Sequence, residues 1–493
     1  MSQAAGLLLL ATTLVAVPAE FPAPEALEPN VRFWESVYSR YRSDQVVIHD
    51  TRHLDVVYHV FDLGPFWLFP DTGTSEERLA RRAGRKAKIE EELARVGAAL
   101  GEIEAARRRG ARPEGFAREL HDRLEEAGRL EMIAGAAGRL RWQYGLADRF
   151  QGGIARFEAW EELVTAEFAA AGLPRELTAL PFVESLFDPG ARSHVGAAGI
   201  LQLMPATARE LGLRRGPGYD ERRDPILAAR AAARMLRRNY ERLGNWPLAL
   251  TGYNHGPNGV ARGVRQVGSS DLIDLIARYS SPSWGFASEN FYAEFLAARR
   301  VLDARAEHFG DWVASPPVRL HPLELPRSAT LDQLYRGPCL EQGEQETFAR
   351  LNPALDEAAL AGRISLPQGL RVYLPRDPAP RSASACLAKR VLASPKLEPP
   401  EPEPAAEAEL EPEVEPEPEP EPEVELEAPP EPEPGPTPSL AEDPPEEPAV
   451  EPADRSEDEG DRESEDEAET REEGGAGPDG PTPPSSDPEA SAG

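Results

Sequence analysis

Residues 176–208 read ELTALPFVESLFDPGARSHVGAAGILQLMPATA, and in this stretch Glu184 closes a largely apolar run. Leu177, Leu180 and Val183 recur at helical spacing, and Pro189 with Gly190 stops the helix soon afterwards. Glu184 therefore projects from a helix terminus toward whatever the following loop builds. A carboxyl held among Leu, Phe and Val side chains loses hydration, which disfavours its charged form and raises its pKa. A raised pKa is what a general acid needs at neutral pH. The competing reading is an ordinary helix-end glutamate reaching into water, and the stretch alone does not decide between them.

The next residues bear on the choice. Ser193, Gly196, Gly199 and Gln202 form a run too polar and glycine-rich for a strand core, and Pro205 opens a helix at its first turn. Glycine lets backbone approach a ligand, while Gln and Ser offer hydrogen-bond partners suited to hydroxyl and acetamido groups. Some fifty residues on, GYNHGPNGV at 252–260 presents Tyr253, Asn254 and Gly256. A tyrosine there can donate a hydrogen bond and offer a flat face to a sugar ring.

Together, ES at 184–185, GILQLMPATA at 199–208 and YNHG at 253–256 resemble the three ordered motifs of the lytic murein transglycosylases with a soluble-lytic-transglycosylase domain, glycoside hydrolase family 23, in the murein transglycosylase D branch. The resemblance covers roughly residues 140–305. It implies a mainly α chain with a lysozyme-like (goose-type) α-helical catalytic domain and cleavage of the bond from N-acetylmuramic acid to N-acetylglucosamine in peptidoglycan. Glu184 would protonate the leaving oxygen, then accept the proton of the muramoyl C6 hydroxyl as that group attacks C1, leaving a 1,6-anhydromuramoyl end. The resemblance assigns Ser193 and Gln202 to the substrate near the reacting sugar, Met204 to the cleft wall, and Tyr253 with Asn254 to positions beside Glu184. It implies no cofactor and no metal. A site with one acid suits this route, because glycosidases that use water or a covalent intermediate normally need two carboxylates. Asp188, one turn past Glu184, is the evident second acid, and its FDP context reads as a cap or turn. If Asp188 held a water, the enzyme would be a muramidase like goose-type lysozyme. A non-catalytic peptidoglycan-binding scaffold is the remaining alternative. Family members continue with a segment ETxxY; here SENFYAEFLAARRVL at 288–302 takes its place, with Glu289 offset from the acid and Phe291 and Tyr292 available as an aromatic platform.

The net charge of -32 is unevenly spread. From Glu398 onward there are 36 acids against 3 arginines, leaving 50 acids and 51 bases in the preceding 397 residues. The body is near neutral and no nucleic-acid motif accompanies its basic residues. The two cysteines, Cys339 and Cys386, lack metal-ligand spacing, and in an exported chain they would form a disulfide.

The chain divides into five segments. Residues 1–19, with the apolar run AAGLLLLATTLVAV at 4–17, read as a secretory signal cleaved after Ala19, although no Lys or Arg precedes the run. No cysteine stands just after it for lipid attachment, so a soluble exported protein of the periplasm or cell envelope is expected. Residues 20–135 form a helical N-terminal region. Its start mixes helical and strand spacing, with His49, Asp50 and His53 read as surface turn chemistry and not a metal site. From Ser75 to Arg109 an amphipathic helix or hairpin carries Leu79, Ile89, Leu93, Val96, Leu100 and Ile103 on one face. Residues 136–310 make the catalytic domain, in which Asp224 and Pro225 start a helix with the buried stripe Ala229, Ala233, Leu236, Tyr240 and Leu243, ended by Gly244. Residues 311–394 resemble a small α+β lysin-motif-like module. Residues 395–493, rich in Pro and Glu, cannot bury enough apolar surface to offset their ordering entropy and are expected to be disordered. Partners expected are peptidoglycan glycan strands and a weak association with the cell envelope; the partner of the acidic tail is unreadable.

Overall fold

The computed structural model describes residues 20–67, 72–310, 314–325, 327–331 and 344–375. The signal segment, both cysteines and the acidic tail lie outside the described residues. What is described is largely helical.

The alanine-rich helix α7 (Pro225–Leu243) sits at the centre. Asp224 caps it, accepting from the N–H groups of Ile226 and Leu227, and Gly244 ends it at φ 84°. Ala228, Ala229, Ala231, Ala232 and Ala233 are all buried. Their small side chains let α4 (Ala147–Ala170), α8 (Trp246–His255) and α9 (Pro257–Val267) pack closely around α7. The expected stripe holds except at Tyr240, which is exposed and stacks on Trp246 with ring centroids 4.6 Å apart.

α11 (Phe286–Asp303) closes this core, and α1 (Glu28–Ser39) lies against it. The Arg300 guanidinium grips both carboxylate oxygens of Glu28 at 2.9 and 2.8 Å, and Asn30 donates to Asn290 at 3.0 Å. Residues 28–39 therefore share one apolar core with residues 147–303. A three-stranded antiparallel sheet, in the order β2 (Val57–Asp62), β1 (Gln45–Asp50), β3 (Leu140–Tyr144), also crosses the expected boundary at 135/136. The alternation of strand residues explains why: Val47 and His49 face the α1 side, while Val46, Ile48 and Trp142 face α2 (Ser75–Arg108) and α3 (Gly115–Glu126).

α2 is one continuous helix, opened by a capping box between Thr74 and Glu77. Its apolar stripe begins at Ile89; Leu79 is 67% exposed because, among the described residues, no element covers the first turns on that side. His49 and Asp50 are buried strand residues, not a surface turn. Asp50 accepts from Tyr58 and Arg139, and burial pushes the His49 imidazole down to about 4, so both serve the core.

Beyond residue 314, β6 (Leu320–Glu324) pairs with β9 (Arg371–Pro375), and β7 (Ala329–Thr330) with β8 (Ser365–Leu366), around two short helices and a small core of their own. This part is joined to residues 214–220 by backbone hydrogen bonds, Asp220 N to Ala354 O at 2.8 Å and Asp356 N to Gly218 O at 3.0 Å.

Candidate active site

Glu184 stands in the last turn of α5 (Leu180–Ser185), which a 3₁₀ turn over Arg175–Ala179 precedes. The helix cannot continue because Leu186 and Phe187 both adopt left-handed backbone, at φ 53° and 54°. For bulky residues this costs about 1–2 kcal/mol each. Burying the same two side chains returns about 1.5–3 kcal/mol apiece: Phe187 packs edge-on to Phe157 at 5.4 Å, and both residues are at most 7% exposed. Arg156 of α4 pins the turn, donating to Leu186 O at 2.9 Å and Phe187 O at 3.0 Å. Gly153 admits the turn to α4, since a Cβ there would lie 2.5 Å from Leu186 O.

The loop 190–204 is tied to this turn by side chains. Ser185 Oγ donates to Ile200 O at 3.0 Å and accepts from Asp188 N at 3.1 Å. Gln202, itself at φ 42°, turns its amide inward onto Gly199 O and Ala191 O at 2.9 and 3.3 Å. Ser193 Oγ accepts from Ala197 N at 2.9 Å. Underneath, the buried Arg222 donates to Gly196 O at 2.6 Å and Leu203 O at 2.8 Å while paired with Asp220 at 2.7 Å. Gly199, at φ 79°, is required there: a Cβ would sit 1.9 Å from Arg222 O. Met204 is exposed on the loop's outer side.

From α8, Tyr253 donates to Leu201 O at 2.8 Å, binding the third motif to the second. Its phenol is held well above the ordinary value, by burial first and then by the charge of Glu184. Asn254 comes next, on the exposed side of α8. Part of Glu184 stays open to solvent, yet the protein mass around its carboxyl strips it of hydration. Burial, reinforced by the nearby negative charge of Glu294, pushes it up to about 8.

Glu294, which the reading of the sequence missed, is a second acid of this site. It stands one turn after Asn290 on α11, a helix in contact with both α1 and α5. Burial raises its carboxyl to about 8, partly countered by Arg141 of β3. Tyr38 of α1, fully enclosed, feels both acids. The SENFYAEFL segment thus supplies an acid, at 294 and not 289, whereas Phe291 and Tyr292 are buried; Tyr292 donates to Pro22 O at 2.8 Å, and neither forms a platform for a ligand. Asp188 is a turn residue, its Oδ1 accepting from Gly190 N at 2.8 Å. The signal for Glu294 was an acid in an otherwise apolar helical run, AEFLA.

Residues 165–276 match the family model described as Transglycosylase SLT domain. The chain carries such a domain, as its three motifs led one to expect. Membrane-bound lytic murein transglycosylase D of Escherichia coli (strain K12) is 37% identical over 111 residues, 22% of this chain and 25% of that protein. A transglycosylase of Enterobacteria phage PRD1 is 38% identical over 100 residues, 20% of this chain and 36% of that protein. The chain thus spans about a quarter to a third of the length of these curated relatives. A solved lytic transglycosylase Slt from Pseudomonas aeruginosa aligns with a TM-score of 0.27 and 22% identity, over 41% of this chain and 31% of that one.

Proposed function

We propose that this protein is a lytic transglycosylase that cleaves the N-acetylmuramic acid to N-acetylglucosamine bond of peptidoglycan without water, with Glu184 as the acid and then the base. The observation that carries the reading is a dehydrated Glu184, raised to about 8, at the junction of the three motifs. At neutral pH it holds its proton and can give it to the leaving oxygen. The resulting carboxylate takes the proton of the C6 hydroxyl, and the sugar closes on C1. Gln202 and Ser193 act through the loop they brace, presenting its backbone and Met204 to the glycan, while Tyr253 and Asn254 line the side toward α8.

Glu294 bears on the rival reading of a muramidase, since two carboxyls could divide acid and base roles. Raised to about 8, Glu294 is mostly protonated at pH 7, a hydrogen-bond donor and not a base that could activate water. That state favours attack by the substrate's own hydroxyl. We read residues 136–310 as a lysozyme-like domain, residues 311–394 as a lysin-motif-like binding module, and the protein as exported to the cell envelope. Among the described residues no helix is long and apolar enough to cross a membrane.

The test is mass analysis of products from purified sacculi. The expected result is muropeptides one water lighter than hydrolysis products from the parent, and almost none from Glu184→Gln. Hydrated ends would establish a muramidase, and uncut sacculi a scaffold.

A further inference from the structure

On the far side of β3 lies a cleft of about 360 Å³, outside the matched domain. Its walls are the exposed first half of α2 and the edge strand β3. Arg82, Arg85, Lys86 and Glu90 come from one face of α2, Arg139 from the turn before β3, and Arg141 from β3 with its guanidinium over Phe286 on the opposite face, so among the described residues three cationic side chains of α2 stand on the cleft wall against one acid. Trp142 and Tyr144 give it an aromatic floor, meeting edge-on at 4.9 Å, and Trp67 packs on Tyr144 at 5.7 Å without lining the cleft. The basic groups are held in place. Arg139 is anchored from behind by Asp50 at 2.8 Å, and Arg85 donates to Phe66 O at 3.1 Å while lying over Trp67. Glu90, the one acid of the lining among the described residues, is 3.9 Å from Lys86, a solvent-exposed pair of little energetic consequence.

Guanidinium and ammonium groups above an aromatic floor suit a ligand that combines carboxylates with a ring or apolar body. The strand also connects the cleft to the candidate active site. Arg141 stacks on Phe286 of α11 at 4.0 Å and its charge acts on Glu294, while its neighbour Trp142 faces the cleft. Resting on the proposed function, we infer that this cleft is an accessory substrate site that holds the carboxylate-bearing peptide stem and muramoyl ring of a glycan strand whose scissile bond lies at Glu184. A strand held on both faces of β3 stays engaged through successive cuts.

The experiment is calorimetric titration of the full chain with N-acetylmuramoyl tetrapeptide, which has stem carboxylates but no glycosidic bond to cut. Chitotetraose, which has rings but no carboxylate, serves as the probe of the catalytic cleft. In Arg82→Glu/Lys86→Glu, and more weakly in Lys86→Glu alone, the muramoyl peptide should bind at least tenfold less tightly than in the parent, with chitotetraose unchanged. Binding to the parent should weaken as salt rises. Equal affinity in parent and both variants overturns the inference. So does tighter binding of a synthetic Glu-Pro peptide with the sequence of residues 411–422, which would assign the cleft to the chain's own acidic segment. Because the muramoyl peptide is not cleaved, these outcomes are independent of whether sacculi are cut.

Discussion

A buried acid that must stay protonated for catalysis weakens the fold whenever solvent would ionise it. Glu184 is raised from an ordinary 4.5 to about 8. Between those values the unfolded chain releases a proton that the folded chain keeps, so raising the pH favours unfolding. The stability Glu184 contributes is complete below pH 4.5 and is lost progressively as pH rises toward 8. At pH 7 the group sits about 2.5 pH units above its unfolded value, and at about 1.4 kcal/mol per unit the ceiling is about 3 kcal/mol. Water reaching the partly open carboxyl reduces this to about 1–2 kcal/mol. Glu184→Gln keeps the shape and removes the titration, so the variant should be more stable than its parent by that amount at pH 7 and equal to it at pH 4.5. For a domain of this size the gain at pH 7 is about 2–6 °C in Tm. Thermal unfolding of the full chain and variant, followed by near-UV circular dichroism at both pH values, measures it. A variant no more stable than its parent at pH 7, or a gain independent of pH, refutes the dehydrated acid.

The pH dependence of turnover should show an alkaline limb near 8, where Glu184 loses its proton; in Glu294→Gln that limb should move to lower pH, because a neighbouring negative charge is gone, and an unmoved limb would separate the two carboxyls. Gly199→Ala places a methyl against Arg222 O and must displace the loop, so at least a hundredfold loss of turnover is expected with the helical circular dichroism spectrum retained. Asp188→Asn keeps an oxygen able to accept from Gly190 N and should retain most activity, whereas a loss as deep as that of Glu184→Gln would make Asp188 the second acid.

Features that rest on local rules were legible before any fold was known. Asp224 and Gly244 bound α7, and the resemblance carried by the three motifs points to Glu184, the glutamine loop and Tyr253, whereas α5 ends at Ser185, ahead of the expected stop at Pro189 and Gly190, through the left-handed backbone of Leu186 and Phe187. Other features depend on what is packed opposite. Periodicity put Leu79 and Tyr240 in buried stripes, but a stripe is buried only where another element covers it; among the described residues none covers Leu79, and Trp246 covers Tyr240 only in part. The inward turn of Gln202 onto the backbone depends on a left-handed conformation that its residue type does not announce.

What the amino-acid order determined by itself was the chemistry on offer: a helix-end glutamate, a glycine-bearing loop and a tyrosine, in the arrangement of a transglycosylase domain. Only the tertiary structure brought Tyr38 and Glu294, each more than a hundred residues from Glu184 in the chain, to the same carboxyl. It likewise joined residues 28–62 to the apolar core of residues 147–303 and to the strand at 140–144. The physical reason is range: helix stops and caps depend on hydrogen bonds between residues a few places apart, whereas the dehydration that sets a proton's affinity depends on every atom within several ångströms, whichever part of the chain brought it there.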